Sequence, residues 1–208
     1  MGTEQRRALG GLIMPRPLPH QLSKQQGFTL LELVIVIIII SFLMTLGFDR
    51  LAKLQVQAER ASMQQIIGHL QSAISLTISE HIAKDNIAGL RRYIETNPMG
   101  LLAETPVNYL GSYSEPPSNE AKPYWWYHAR TRTLYYHASN VEYFDSDNSK
   151  RGVAKFKILA VYDDINGNAQ FDQGDSFRGL RLTPLTQYHW RTKPMDPDDY
   201  LKEASGNK

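Results

Sequence analysis

Polar and apolar positions divide this chain into stretches with different periods. Residues 28–48, FTLLELVIVIIIISFLMTLGF, form an apolar run with one charged residue inside it, Glu32. At about 1.5 Å per residue in a helix, a run of this length is enough to cross a hydrocarbon core of about 30 Å. The β-branched block Val34–Ile40 would favour strand in water. In a bilayer the backbone must satisfy its own hydrogen bonds, so the run predicts a transmembrane helix. After it, Leu51, Leu54, Ala58, Ala61, Ile66, Leu70, Ile74, Ile78 and Ile82 recur at three- to five-residue steps. Gln55, Gln57, Glu59, Arg60, Gln64 and Gln71 fall between them. That period predicts an amphipathic continuation of the helix over 49–83, laid on a globular body, with two helices split near Gly47 as the alternative.

Beyond it the pattern changes again. A short helix is predicted over Asp85–Thr96, with Ile87, Leu90 and Ile94 on one face and Asn97-Pro98 as its stop. Residues 97–123, rich in Pro, Gly, Ser and Asn, read as a long loop with little regular structure. Tyr124–Ala129 and Thr133–His137 flank Arg130-Thr131-Arg132 as a hairpin. Val153–Tyr162 alternates, with Phe156, Ile158 and Ala160 on one side and Lys155 and Lys157 on the other. Ser176–Leu182 is its predicted partner. The fold class that follows is α+β: a long N-terminal helix packed on a small antiparallel sheet, with the head spanning 84–208.

Residues 1–27 have no period and are broken by proline and glycine, which reads as a leader. They hold Arg6, Arg7, Arg16 and Lys24 against Glu4 alone. The rest of the chain keeps 19 of the 23 basic and 20 of the 21 acidic side chains. A body without a basic excess argues against nucleic acid as a partner. Arg16 and Lys24 place the N-terminal side of the apolar run in the cytoplasm and the head across the membrane. A secretory signal would carry a small-residue cleavage site after the run, and none follows. The chain has no Cys, which excludes disulfides, Cys-ligated zinc and thiol catalysis.

Glu32 is the residue out of place, because a carboxylate in hydrocarbon costs about 2.5 kcal/mol or more. Its surroundings are Gln26-Gly27-Phe28-Thr29-Leu30-Leu31-Glu32, followed by the apolar run. This stretch resembles the class III signal of type IV prepilins and type II secretion pseudopilins. The resemblance implies cleavage between Gly27 and Phe28 by a prepilin peptidase, which also methylates the new N-terminus. It implies that Glu32 meets the Phe28 amine of a neighbouring subunit during assembly. The implied partners are the peptidase and other pilin or pseudopilin subunits. The implied setting is a bacterial inner membrane crossed once, the head in the periplasm, and later a pilus or pseudopilus. The length and the irregular head point to a minor, priming or tip-associated subunit. Asp49 and Ser41 stand where the family often has proline and glycine.

One loop carries candidate chemistry. Counting from Asp164, oxygen side chains fall at places 1, 3, 5, 9 and 12 as Asp164, Asn166, Asn168, Asp172 and Asp175. This is the spacing of an EF-hand-like loop, which gathers six to eight oxygens for a hard cation, so calcium is the expected ligand of 164–175. Ala169 stands where such loops usually have Gly, and Asp175 where they have Glu. A polar turn between two strands would use the same residues.

The aromatics Tyr124, Trp125, Trp126, Tyr127, Tyr135, Tyr136, Tyr143 and Phe144 crowd one region. Alternation would place about half of them inside the head. An exposed half could grip sugar or a partner; such aromatics, or the calcium loop, would serve the tip-adhesin alternative. Core packing and cross-strand pairs are the other use. A signal-anchored periplasmic protein is the further alternative. His69 and His81 lack HExxH spacing, and the chain has no phosphate loop, dinucleotide turn or GxSxG, so catalysis is not expected.

Overall fold

The computed structural model describes residues 27–118, 123–147, 152–172 and 174–196. Apart from Gly27, the leader lies outside the described residues. The chain divides into two units, one ending at Leu46 and one beginning at Gly47. Helix α1 is assigned over Leu30–Ala83 and contributes to both.

In the first unit the helix starts where the sequence caps it. Thr29 Oγ1 accepts the Glu32 backbone N–H at 3.2 Å. An N-cap side chain makes this bond to free N–H groups of the first turn. Thr29-Leu30-Leu31-Glu32 is also a capping-box spacing. Inside the apolar run, Ser41 and Thr45 donate their hydroxyls back to the carbonyls of Ile37 (2.7 Å) and Ser41 (3.0 Å). A polar hydroxyl is thereby satisfied without leaving an apolar helix. The helix is long and apolar enough to cross a membrane.

In the second unit one face of α1 is buried: Val56, Glu59, Met63, Ile66, Leu70, Ile74 and His81, with Ile78 half-buried. Steps of three and four keep these residues in line. Ile66, Leu70 and Ile74 lie where the period predicts them. Leu51, Leu54, Ala58, Ala61 and Ile82, predicted on the same face, are exposed. The reason is angular. At ~100° per residue, 51, 54, 58 and 61 form their own stripe, roughly 150° round the helix from the buried face. Counting back from Leu70 in helical steps leads instead to Met63, Glu59 and Val56.

The predicted helix over Asp85–Thr96 is a shorter 3-10 helix, Ile87–Tyr93. The Asn86 side chain caps it by accepting from Gly89 N–H at 3.0 Å, and Leu90 is its buried residue. The stretch read as an irregular loop holds a second 3-10 helix, Pro98–Leu101, and strand β1, Tyr109–Tyr113. Gly111, at φ 115°, sits in that strand. A glycine inside a short strand masks it in the sequence.

The remaining strands are β2 Tyr124–His128, β3 Thr133–His137, β4 Phe144–Ser146, β5 Val153–Asp163, β6 Ser176–Pro184 and β7 Tyr188–Trp190. The main sheet runs β1-β2-β3-β5-β6, and β4 with β7 form a separate ribbon. The predicted hairpin forms as β2–β3, with Trp125 opposite Tyr136 and Trp126 opposite Tyr135. The predicted pair forms as β5–β6. Both are antiparallel, whereas β1 pairs with β2 in parallel, so the sheet is mostly antiparallel. The class is α+β. Trp125, Tyr127, Leu134, Tyr136, Phe156 and Ile158 meet Met63, Ile66, Leu70 and Ile74 of α1 in one core. Burying each large apolar side chain is worth about 1.5–3 kcal/mol.

Candidate functional site

Two places carry the predicted site residues. The first is the N-terminal stretch. Gly27, Phe28 and Glu32 are all exposed, and Phe28 is 83% exposed. The apolar side chains that follow, from Leu30 to Met44, are exposed all round the helix. Such a surface needs lipid or other protein to cover it. Glu32 is held at the first turn of α1. A carboxylate there also favours the positive end of the helix dipole.

The second place is the loop between β5 and β6. The structure organises it by hydrogen bonds among its own groups. Asp164 accepts from Gly167 N–H through Oδ1 and from Ala169 N–H through Oδ2, both at 2.7 Å. Asn166 Oδ1 accepts from Asn168 N–H (3.0 Å), and Asn168 Oδ1 from Gln170 N–H (2.7 Å). Asp175, buried, accepts from Ile165 N–H (3.1 Å) and from Asp172 N–H (3.0 Å). Each oxygen-bearing side chain thus folds back on a nearby residue or across the base of the loop. Ala169 adopts φ 58°. That is the left-handed conformation, which favours glycine at this place.

Three of the five residues meet. Asn166 Nδ2 and Asn168 Nδ2 both donate to Asp172 Oδ2, at 2.7 and 2.9 Å. Gly174 N–H donates to Asp172 Oδ1 at 2.9 Å. The Gly174 bond, then the two amides, hold the Asp172 carboxyl below its ordinary pKa. Asp164 and Asp175 are engaged with backbone N–H groups instead. Among the described residues no three His, Asp or Glu side chains gather as a metal-holding group. A hard cation here would take the Asn166 and Asn168 side-chain oxygens along with the carboxylates.

The loop is tied to the head by Phe171, whose ring lies 5.2 Å from Tyr162 and 5.7 Å from Phe177. The Arg91 guanidinium, from the first 3-10 helix, sits 5.2 Å above Phe171 and 5.7 Å above Phe177. A cation so placed is drawn to the negative faces of the rings. The sequence pattern does not point to this clamp, because Arg91 and Phe171 lie far apart in the chain.

The head aromatics do not form the exposed platform of the adhesin alternative. Trp125 and Trp126 are 0% and 1% exposed, and Tyr124, Tyr127, Tyr136 and Phe144 are buried. Their neighbours explain this. Trp125 lies 4.8 Å from Tyr136 and 5.6 Å from Phe156, while Trp126 stacks on Tyr135 at 4.6 Å. Cross-strand pairing consumes both faces of β2.

Residues 22–48 match the family model described as the prokaryotic N-terminal methylation motif. No curated protein and no solved structure matches the chain.

Proposed function

We propose that this chain, which carries a prokaryotic N-terminal methylation motif, is a minor subunit of a type IV pilus or a type II secretion pseudopilus. The observation that carries the reading is the motif running directly into the exposed apolar helix. In this account the chain waits in the inner membrane with its head in the periplasm. A prepilin peptidase cuts between Gly27 and Phe28 and methylates the Phe28 amine. The apolar helix then leaves lipid for the interior of a fibre, where neighbouring helices cover it. Glu32 pairs with the Phe28 amine of an adjacent subunit. Leaving one of two such charges alone in a low-dielectric bundle is strongly penalised, so the pair fixes register between subunits. The uncharged stripe Leu51, Leu54, Ala58 and Ala61, turned away from the head's core, supports helix–helix packing further along. Its function is assembly rather than catalysis, at a priming or tip position.

The test is the intact mass and N-terminus of the chain made with and without the peptidase. A peptidase-dependent product beginning at Phe28 and carrying one added methyl is the expected result. An uncut chain would leave a signal-anchored periplasmic protein.

A second reading concerns the loop. It takes calcium through Asp164, Asn166, Asn168, Asp172 and Asp175, and the ion stiffens the β5–β6 connection. Ala169 in the left-handed conformation and the turn-by-turn folding of Asp164, Asn166 and Asn168 onto the backbone support it. Calcium, but not magnesium, should raise the melting temperature of the full chain in detergent. An unchanged melting temperature removes the reading.

A further inference from the structure

Among the described residues of α1, Glu59 is the carboxylate on the buried face, 6% exposed, and His81 is the other buried polar side chain there. Its carboxylate receives four neutral donors from across the core. Oε1 accepts from Tyr136 Oη at 3.0 Å and from Ser139 N–H at 2.7 Å. Oε2 accepts from Asn140 N–H at 3.2 Å and from Asn140 Nδ2 in a shorter contact. Burial, and then the Glu59 charge beside it, push the Tyr136 phenol far up, so it stays a donor. The donors all come from the end of β3 and the residues just after it. Ala138 N–H ties that segment to Gly152 at 2.8 Å.

Around Glu59 the face is Val56, Met63, Ile66, Leu70 and Ile74, spaced by three and four, with His81 at its far end. Apolar residues of similar size in such a row tolerate exchange with one another. A slip of one turn, ~5.4 Å, would bring Met63 or Val56 to the place of Glu59 with little loss of apolar contact. The slip would cost most at Glu59, since His81 keeps its bond to the Thr77 carbonyl of its own helix and loses only its edge contact with Tyr93. The carboxylate would face apolar side chains, and the N–H groups of Ser139 and Asn140 would lose their acceptors. One polar residue in an apolar seam fixes register in this way.

We propose that Glu59 is a register pin: it sets which turn of α1 the head sits on, and thereby positions the head for assembly. The second half of this statement rests on the fibre reading above; the first half does not. Glu59 is a positioning residue within one subunit, as Glu32 is proposed to be between subunits.

The chain has no Cys, so two introduced cysteines carry spin labels without background. Labels at exposed Gln57 and exposed Arg130 report the register in the full chain in detergent micelles. The parent should give one narrow distance. Glu59→Leu, which keeps the volume apolar, should add a population displaced by about 5 Å, one turn. Glu59→Gln should speed amide exchange at Asn140 at least about tenfold, the size of one lost charged hydrogen bond. A single parental distance in Glu59→Leu overturns the proposal. If that variant does not fold, unchanged exchange in Glu59→Gln overturns it instead. In cells, fibre incorporation of Glu59→Leu should fall alongside a Glu32→Ala control. Normal incorporation of the control would remove the fibre reading while the label distances still decide the pin.

Discussion

The β2–β3 hairpin and the 164–175 loop belong to the same head but spend their side chains differently. In the hairpin, rings bury one another and hydrogen bonding is sacrificed. Trp125 Nε1 and Trp126 Nε1 are buried without a partner among the described residues. Each such group costs about 1–3 kcal/mol. In the loop the reverse holds. Little is buried, yet Asp164, Asn166, Asn168, Asp172 and Asp175 all accept hydrogen bonds through their side chains. Aromatic area outweighs an orphaned N–H where neighbouring rings seal it from water, under the helix for Trp125 and against Tyr135 and His128 for Trp126. A loop with no core beneath most of it has only its polar groups to define its shape.

The largest test of that contrast is Trp125→Ala, which removes a fully buried indole from its contacts with Tyr136 and Phe156. The loss should cost about 3–5 kcal/mol, enough to unfold much of the head. Denaturant unfolding followed by circular dichroism measures it. Trp126→Phe sharpens the point. It removes an unpartnered N–H but keeps a ring against Tyr135. The lost ring carbons destabilise and the lost unpartnered N–H relieves, so the net change should stay below about 1.5 kcal/mol. A Trp125→Ala head as stable as the parent would mean that burial is not what holds the hairpin.

An intermediate effect belongs to Ala169. A non-glycine residue in the left-handed region costs roughly 1–2 kcal/mol, part of which glycine gives back as chain entropy. Ala169→Gly should therefore stabilise the chain by up to about 1 kcal/mol. On the calcium reading it should also tighten calcium binding. No change in either the unfolding midpoint or the calcium response would show that φ 58° at this place carries no strain.

The sequence exposed periods and spacings, and the structure shows where those were sufficient. The apolar run, the β2–β3 hairpin and the β5–β6 pair were legible because each has an unbroken pattern of its own. Strand β1 was not, because Tyr109–Tyr113 is short, contains Gly111 and pairs in parallel at the edge of the sheet. Strands β4 and β7 are three residues each and lie far apart in the chain, so no local pattern announces them. Trp125 and Trp126 show a different limit. Alternation correctly puts neighbours on opposite faces, but it does not say that both faces are covered. Glu59 was hidden for a similar reason: a charged residue reads as outward until its donors, contributed by Tyr136, Ser139 and Asn140, are brought to it by the fold. At the loop, the oxygen side chains were legible from spacing, while the meeting of Asn166 and Asn168 at Asp172 depends on how the backbone turns between them.

The smallest effect is local and concerns Asp172. Its folded pKa lies below the ordinary 3.8, held down first by Gly174 N–H and then by the amides of Asn166 and Asn168. A depressed carboxyl contributes its stabilisation above the unfolded value and loses it as pH falls through the lower, folded value. The loop's network should therefore persist at pH 4 and loosen only in stronger acid. Because the group is at the loop surface, the change should appear in the loop and not in the global melting temperature. Carbon-13 NMR of the Asp172 carboxyl, followed from pH 6 downwards, gives the midpoint. In Asn166→Ala with Asn168→Ala the midpoint should rise towards the ordinary value but not reach it, since the Gly174 bond remains. A parent midpoint already at the ordinary value would mean that the loop's polar groups do not hold one another in solution. The loop would then be no more defined than its few buried side chains make it, and the difference from the hairpin would be one of order rather than of the kind of force.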